Sequence, residues 1–132
     1  MIKAGLKNEK AWTVKEEHLA SNISSGLVDA LSTPSLVAFC EECARLIVDP
    51  LLDPGQKTVG TRIELRHLAA TPPGMRVTVR AELVEVEERK LRFRIEAYDE
   101  VEKIGEAEHE RFIIDEARFN HRLQAKAGSK ST

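Results

Sequence analysis

The chain has no surplus of charge of either sign, no long apolar run and only two cysteines, and each shortage removes a class of protein. Its 132 residues carry 20 Lys and Arg against 22 Asp and Glu, so there is no broad basic field of the kind that phosphate backbones or anionic membranes reward. Nucleic acid is therefore not an expected partner. The opening stretch MIKAGLKNEKAWTVKEEH scatters its charges and lacks the roughly 7–15-residue apolar core of a secretory signal. Nothing elsewhere approaches the roughly 18 apolar residues of a bilayer-spanning helix. No membrane association is expected, and the cytoplasm is the expected location. Cys40 and Cys43 form a lone C-x-x-C inside a helical pattern, with no second Cys/His pair at ligand spacing. They read as small buried apolar residues rather than as a redox motif or half a zinc site, so neither a metal nor a cofactor is expected. A chain of this length has room for one core, and the domain is expected over residues 1–120, with 121–132 a polar, flexible tail.

The remaining pattern is one strand, one long helix and four strands. Trp12 and Val14 share one side of a short alternation over residues 10–15. Thr33-Pro34 reads as a helix start, with the threonine as N-cap and the proline in the first turn. From there Leu36, Val37, Cys40, Cys43, Ala44, Ile47, Val48 and Leu51 recur at three- and four-residue spacing, forming a stripe able to lie across a sheet. Asp53-Pro54-Gly55 breaks the pattern. Alternating runs follow around Val59–His67, Met75–Leu83, Leu91–Ala97 and Val101–Ile114. Short connections between them favour an antiparallel sheet with the helix on one face, an α+β domain.

A few residues break their local pattern. Glu41 lies on an apolar row of the helix, where an unpaired carboxylate is costly and burial raises its pKa toward the range useful for proton transfer. An edge glutamate reaching water is the alternative. His67 ends a mostly apolar strand face, where it can orient a carboxylate or shuttle a proton, or simply be a hydrogen-bonded structural residue. Gly60, inside a strand, marks either a bulge or a place where a ligand comes close. His109 and Arg111 project to one side of the last strand, and Arg111 is open to three roles: meeting a phosphate, pairing with Glu41, or facing solvent.

The stretch V-G-T-R-I-E-L-R-H-L-A-A-T-P-P-G from Val59 to Gly74, with V-T-V-R-A-E-L at 77–83 and I-G-E-A-E-H-E-R at 104–111, resembles the fluoroacetyl-CoA thioesterase and its hot-dog relatives. The resemblance runs from about Thr33 to Asn120 and implies a hot-dog fold, an antiparallel sheet wrapped around a central helix. It also implies thioester hydrolysis of an acyl-CoA, with no metal or redox cofactor, by a catalytic set that falls here on Thr33, Glu41 and His67. Glu41 would serve as base or nucleophilic carboxylate, Thr33 would orient the thioester or water or act as nucleophile, and His67 would hold the network in its productive protonation state. Gly60 would lie near the substrate with its N–H toward the developing oxyanion; Arg111, its role left open by the residues, is taken with Gly60 as a candidate substrate-binding residue.

With Thr33 and Glu41 on one helix, eight residues separate their backbones by roughly 12 Å. Either substrate lies between them or a second chain contributes to the site. A homodimer is expected, its assembly into tetramers left open. The family's fluoroacetyl-specific enzyme carries an aromatic lid upstream of its threonine, and the matching stretch here, Ser24-Ser25-Gly26-Leu27-Val28, has no aromatic residue. A general short- or medium-chain acyl-CoA is therefore the expected substrate. The competing readings are a hot-dog hydratase or dehydratase, a non-catalytic acyl-CoA-binding dimer, and an interaction domain that recruits another chain through a sheet edge.

Overall fold

The computed structural model describes residues 1–130. Strand β1 (Lys7–Thr13) is followed by irregular chain with two short 3₁₀ turns, and then by helix α1 (Thr33–Val48). Strands β2 (Gln56–His67), β3 (Arg76–Glu87), β4 (Lys90–Tyr98) and β5 (Lys103–Asp115) lead into helix α2 (Glu116–Gly128). All strand pairs are antiparallel, in the order β1-β3-β4-β5-β2. The sheet curls around α1, the arrangement that the α+β pattern and the family resemblance imply.

The core forms where the two periodicities meet. Leu36, Phe39, Cys40, Cys43, Ala44, Ile47 and Val48 of α1 pack on Val77, Val79, Ala81 and Leu83 of β3 and on Leu91, Phe93, Ile95 and Ala97 of β4. Burial pushes the Cys40 thiol up to about 12 and the Cys43 thiol up to about 11. Neither ionises near neutrality, which agrees with their reading as apolar packing groups. Alternate residues on the far side of the sheet form a charged surface, with Arg80 paired to Glu9, Arg92 to Glu85 and Lys103 to Glu96 across strands. Among the described residues no helix is long and apolar enough to cross a membrane.

Three local features differ from the sequence reading. The N-cap of α1 is Ser32, whose hydroxyl accepts from the Ser35 N–H at 3.1 Å; Thr33 is the first helical residue and Pro34 the second. Proline fits either early position because its missing N–H is unneeded there, so Thr33-Pro34 alone cannot distinguish the two frames. Helix α2 covers Glu116–Gly128, so residues 121–128 of the segment expected as a flexible tail are helical, while 131–132 lie outside the described residues. Asp115 starts it, its side chain accepting from the Ala117 N–H, and its polar composition reflects exposure rather than lack of helix.

The third difference lies in β2. Gly60 pairs with Arg111 and Arg62 with Glu110, leaving Thr61 as an extra residue. This β-bulge switches the strand's faces. Before it, Thr58 and Gly60 face the helix; after it, Ile63, Leu65 and His67 do. Strict alternation over Val59–His67 would group Gly60 with Arg62, Glu64 and Arg66; the bulge, one of the two readings of this glycine, moves it to the helix face.

Candidate functional site

Helix α1 and strands β2 and β5 carry the polar groups of the inner side of the sheet that gather in two places. At the start of α1, Thr33 Oγ1 and His67 Nδ1 are 2.8 Å apart. Because Ser32 already caps the helix, the Thr33 hydroxyl is free for this bond. The chain bearing His67 is held by neighbouring contacts. Leu31 N donates to Thr71 O at 2.9 Å, buried Thr71 donates its hydroxyl to Asp99 at 2.9 Å, and Leu68 N donates to Ile104 O at 2.7 Å. The A-A-T-P-P-G turn thereby ties the helix entry to the end of β2. Gly105, opposite His67 in the β2–β5 register, lets the helix approach. A Cβ there would lie 3.1 Å from Leu36 Cδ2 and 3.2 Å from the Arg66 carbonyl oxygen.

Burial holds the His67 imidazole below its ordinary value of 6.5, favouring the neutral ring. Its Nε2 atom is buried and finds no hydrogen-bond partner among the described residues. Such a polar atom stands ready for a group from outside the chain.

The second cluster lies two helical turns further along α1. Glu41 Oε2 is 2.8 Å from where a Cβ on Gly60 would sit, and the same point is 3.3 Å from His109 Cε1 and 3.4 Å from Arg111 Nη1. The glycine thus makes room for the carboxylate. Arg111 Nη1 stands 3.8 Å from Glu41 Oε2, and the Glu41 side chain is 39% exposed. The full burial expected from its place on an apolar row is absent within one chain, because the carboxylate leans over Gly60 at the open edge strand β2.

Arg111 is held behind it through three of its five N–H donors, one on each nitrogen. Its Nε donates to Thr58 Oγ1 at 2.9 Å, Nη2 to Thr58 O at 3.2 Å, and Nη1 to His109 Nε2 at 3.1 Å. His109 Nδ1 in turn meets the Arg62 carbonyl at 2.8 Å. Arg111 and His109 are 6% and 1% exposed, so of the roles left open for the arginine, solvent exposure is removed and proximity to Glu41 is observed.

The five sequence candidates therefore fall into two groups: Thr33 with His67, and Glu41 with Gly60 and Arg111. Thr58, Thr71 and Asp99 were not singled out beforehand. Threonine and aspartate in strands and turns carry no distinguishing pattern until their partners, 28 to 53 residues away, are known. Gly105 gave no signal either.

A five-stranded antiparallel sheet wrapped on one long helix, with inward polar groups gathered on the helix, the edge strand β2 and its neighbour β5, defines a hot-dog-fold protein of the thioesterase type. Residues 14–117 match the family described as FlK: Fluoroacetyl-CoA-specific thioesterase, and the chain belongs to that family. It is 41% identical over 98 residues to the fluoroacetyl-CoA thioesterase of Streptantibioticus cattleyicolor, covering 74% of this chain and 70% of that protein. A solved structure of the fluoroacetyl-CoA thioesterase FlK superposes with a TM-score of 0.91 at 32% identity, covering 96% of this chain and 98% of that one. A Thermus thermophilus hypothetical protein described as a thioesterase superfamily member gives a TM-score of 0.89 at 30% identity, covering 98% of both chains.

Proposed function

We infer that this chain is an acyl-CoA thioesterase that hydrolyses a short- or medium-chain acyl-CoA to the free acid and CoA. Its 41% identity to a fluoroacetyl-CoA thioesterase over most of the chain carries the reading, and the disposition of the candidate residues supports it. Hydrolysis forms a bond between an oxygen nucleophile and the thioester carbonyl carbon, breaks the C–S bond, and returns a proton to the departing thiolate. Glu41 is the group proposed to activate that oxygen, either as base toward water or as the attacking carboxylate. The N–H of Gly60, beneath the carboxylate, is proposed to meet the oxyanion, and Arg111 supplies positive charge beside it.

The Thr33–His67 pair is proposed to complete the site from a second chain. Along one helix Thr33 and Glu41 are roughly 12 Å apart, whereas two-fold pairing of open β2 edges can set the Thr33–His67 pair of one protomer opposite Glu41 of its partner. The unpartnered Nε2 of His67 and the half-open carboxylate of Glu41 both favour this homodimer. A cytoplasmic setting fits the two free cysteines. The loop matching the relatives' lid places Leu27 98% exposed and contains no aromatic residue, favouring ordinary acyl groups over fluoroacetyl.

The test is free-thiol release from acyl-CoAs running from acetyl and fluoroacetyl to long-chain, comparing the parent with Glu41→Ala and His67→Ala at matched folding. Turnover by the parent that both variants lose is the expected result. A parent that is stabilised by acyl-CoA yet releases no thiol would replace the hydrolase reading with a binding module. In single-turnover hydrolysis in ¹⁸O-water, label entering Glu41 requires an acyl-enzyme on that carboxylate, and rapid-quench mass spectrometry, in which the chain gains the mass of the acyl group, detects an acyl-enzyme on Glu41 or Thr33 whichever carbonyl water attacks.

A further inference from the structure

His109 is buried with a guanidinium on one ring nitrogen and a carbonyl on the other, an arrangement that determines its proton without further assumption. The Arg62 carbonyl only accepts, so Nδ1, 2.8 Å away, carries the hydrogen. An arginine only donates, so Nε2, 3.1 Å from Arg111 Nη1, offers its lone pair. The ring is thus a neutral acceptor fixed from both ends. Arg62 lies immediately after the β2 bulge, so the carbonyl that fixes the tautomer is presented by the same irregularity that turns Gly60 inward.

The arginine's other contacts show what this achieves. Thr58 takes Nε and Nη2 through its hydroxyl and carbonyl, and His109 takes Nη1. Glu41 Oε2 remains 3.8 Å from that same Nη1, beyond a hydrogen bond. An unrestrained guanidinium beside a carboxylate closes into a short, bidentate ion pair, which would occupy the oxygens that Glu41 needs for chemistry.

We propose that His109 is a positioning residue that, together with Thr58, holds Arg111 back from Glu41, so that the carboxylate has a positive neighbour and still keeps its oxygens free to react. The proposal rests on the reading of Glu41 as the reacting carboxylate. Around the ring stand Arg111 and Glu41 on the inner side, Glu110 on its own strand, and the Phe93 ring of β4, whose centroid is 6.0 Å away. None of these offers Nε2 a donor to replace the arginine. In His109→Leu, Nη1 loses its acceptor and turns to Glu41.

Two measurements test the idea, and the first does not depend on any activity. Long-range ¹H–¹⁵N spectra of the parent are expected to show His109 as the neutral Nδ1–H tautomer, with its Nε2 resonance shifted by Arg111→Met. An Nε2–H tautomer, a protonated ring at neutral pH, or indifference to Arg111 overturns the clamp. The second is kinetic. His109→Leu is expected to lower kcat by about 10- to 10²-fold, a loss of the size that misplaced catalytic groups produce, with KM nearly unchanged. His109→Gln, whose side-chain carbonyl can accept where Nε2 did, recovers most of that loss.

In the Arg111→Met background, which removes the group to be restrained, His109→Leu has less than about a twofold further effect, the signature of two residues acting as one unit. Equal losses from His109→Leu with and without Arg111, or no rescue by Gln in a folded variant, overturn the positioning role. Absence of hydrolysis by the parent would sink the thioesterase reading instead, and the tautomer measurement would still decide whether the clamp exists.

Discussion

The two polar clusters on helix α1 are built on different principles. At the helix entry, Thr33 and His67 are neutral groups joined by one hydrogen bond, and the imidazole keeps a buried nitrogen without a partner. Two turns later, Glu41 and Arg111 are opposite charges, and every nitrogen of the guanidinium is committed within the chain before the carboxylate is reached. The second cluster is preorganised, while the first is poised for a group it does not yet have. That contrast is what the proposed division of the site between two protomers would require, since each half would have to be held by its own chain before the two meet.

The sharpest way to break this comparison is to separate the halves genetically. Mixing a Thr33→Ala/His67→Ala chain with a Glu41→Ala chain, each inactive alone, is expected to restore about a quarter of parental turnover after subunit exchange. Half of the dimers are then mixed, and each holds one intact site. No recovery in a mixture shown to contain heterodimers would place the whole set within one chain. Next in size is Gly60→Ala. Its Cβ would overlap Glu41 Oε2, the mobile end of a side chain, so turnover is expected to fall by as much as about 10²-fold with little loss of melting temperature.

A smaller effect distinguishes the neighbouring hydroxyls Ser32 and Thr33. Thr33→Ala is expected to lower activity and leave thermal stability nearly intact, because the cap is Ser32. Ser32→Ala is expected to lower stability by about 1 kcal/mol, and thermal melts of the two variants check the assignment.

The smallest effect is a pH dependence. Burial lowers the pKa of both His67 and His109 from 6.5. Below that value the unfolded chain binds more protons than the folded one, so folding stability is full above pH 6.5 and declines as pH falls through the lowered values. Melting temperatures measured from pH 8 to 5 should show this decline, and a folded His109→Gln variant should flatten part of it.

The helix and four of the strands were legible because apolar residues recur at the two periods that packing demands. Glu41, His67 and Gly60 were legible for the opposite reason, since each interrupts such a pattern. The cap assignment was not, because Ser32 and Thr33 are both good caps and the proline tolerates either frame. The helical end of the chain was hidden by its exposure: only Phe119 of α2 is partly buried, so no apolar stripe announced it. The Arg111 clamp depended on contacts that span about fifty residues, which no local window contains.

The extra residue at Thr61 also bears on how such proteins are recognised. Gly60 and His67 are an odd number of positions apart, and on an uninterrupted strand they would point in opposite directions. Deleting Thr61 would leave Thr33, Glu41, Gly60, His109, Arg111 and the histidine itself in the chain, yet turn one half of the site outward. A search for the right letters would pass that variant as complete. For this strand the count of residues between the letters belongs to the proposed motif, and a one-residue gap in an alignment here is predicted to separate the two halves of the candidate site.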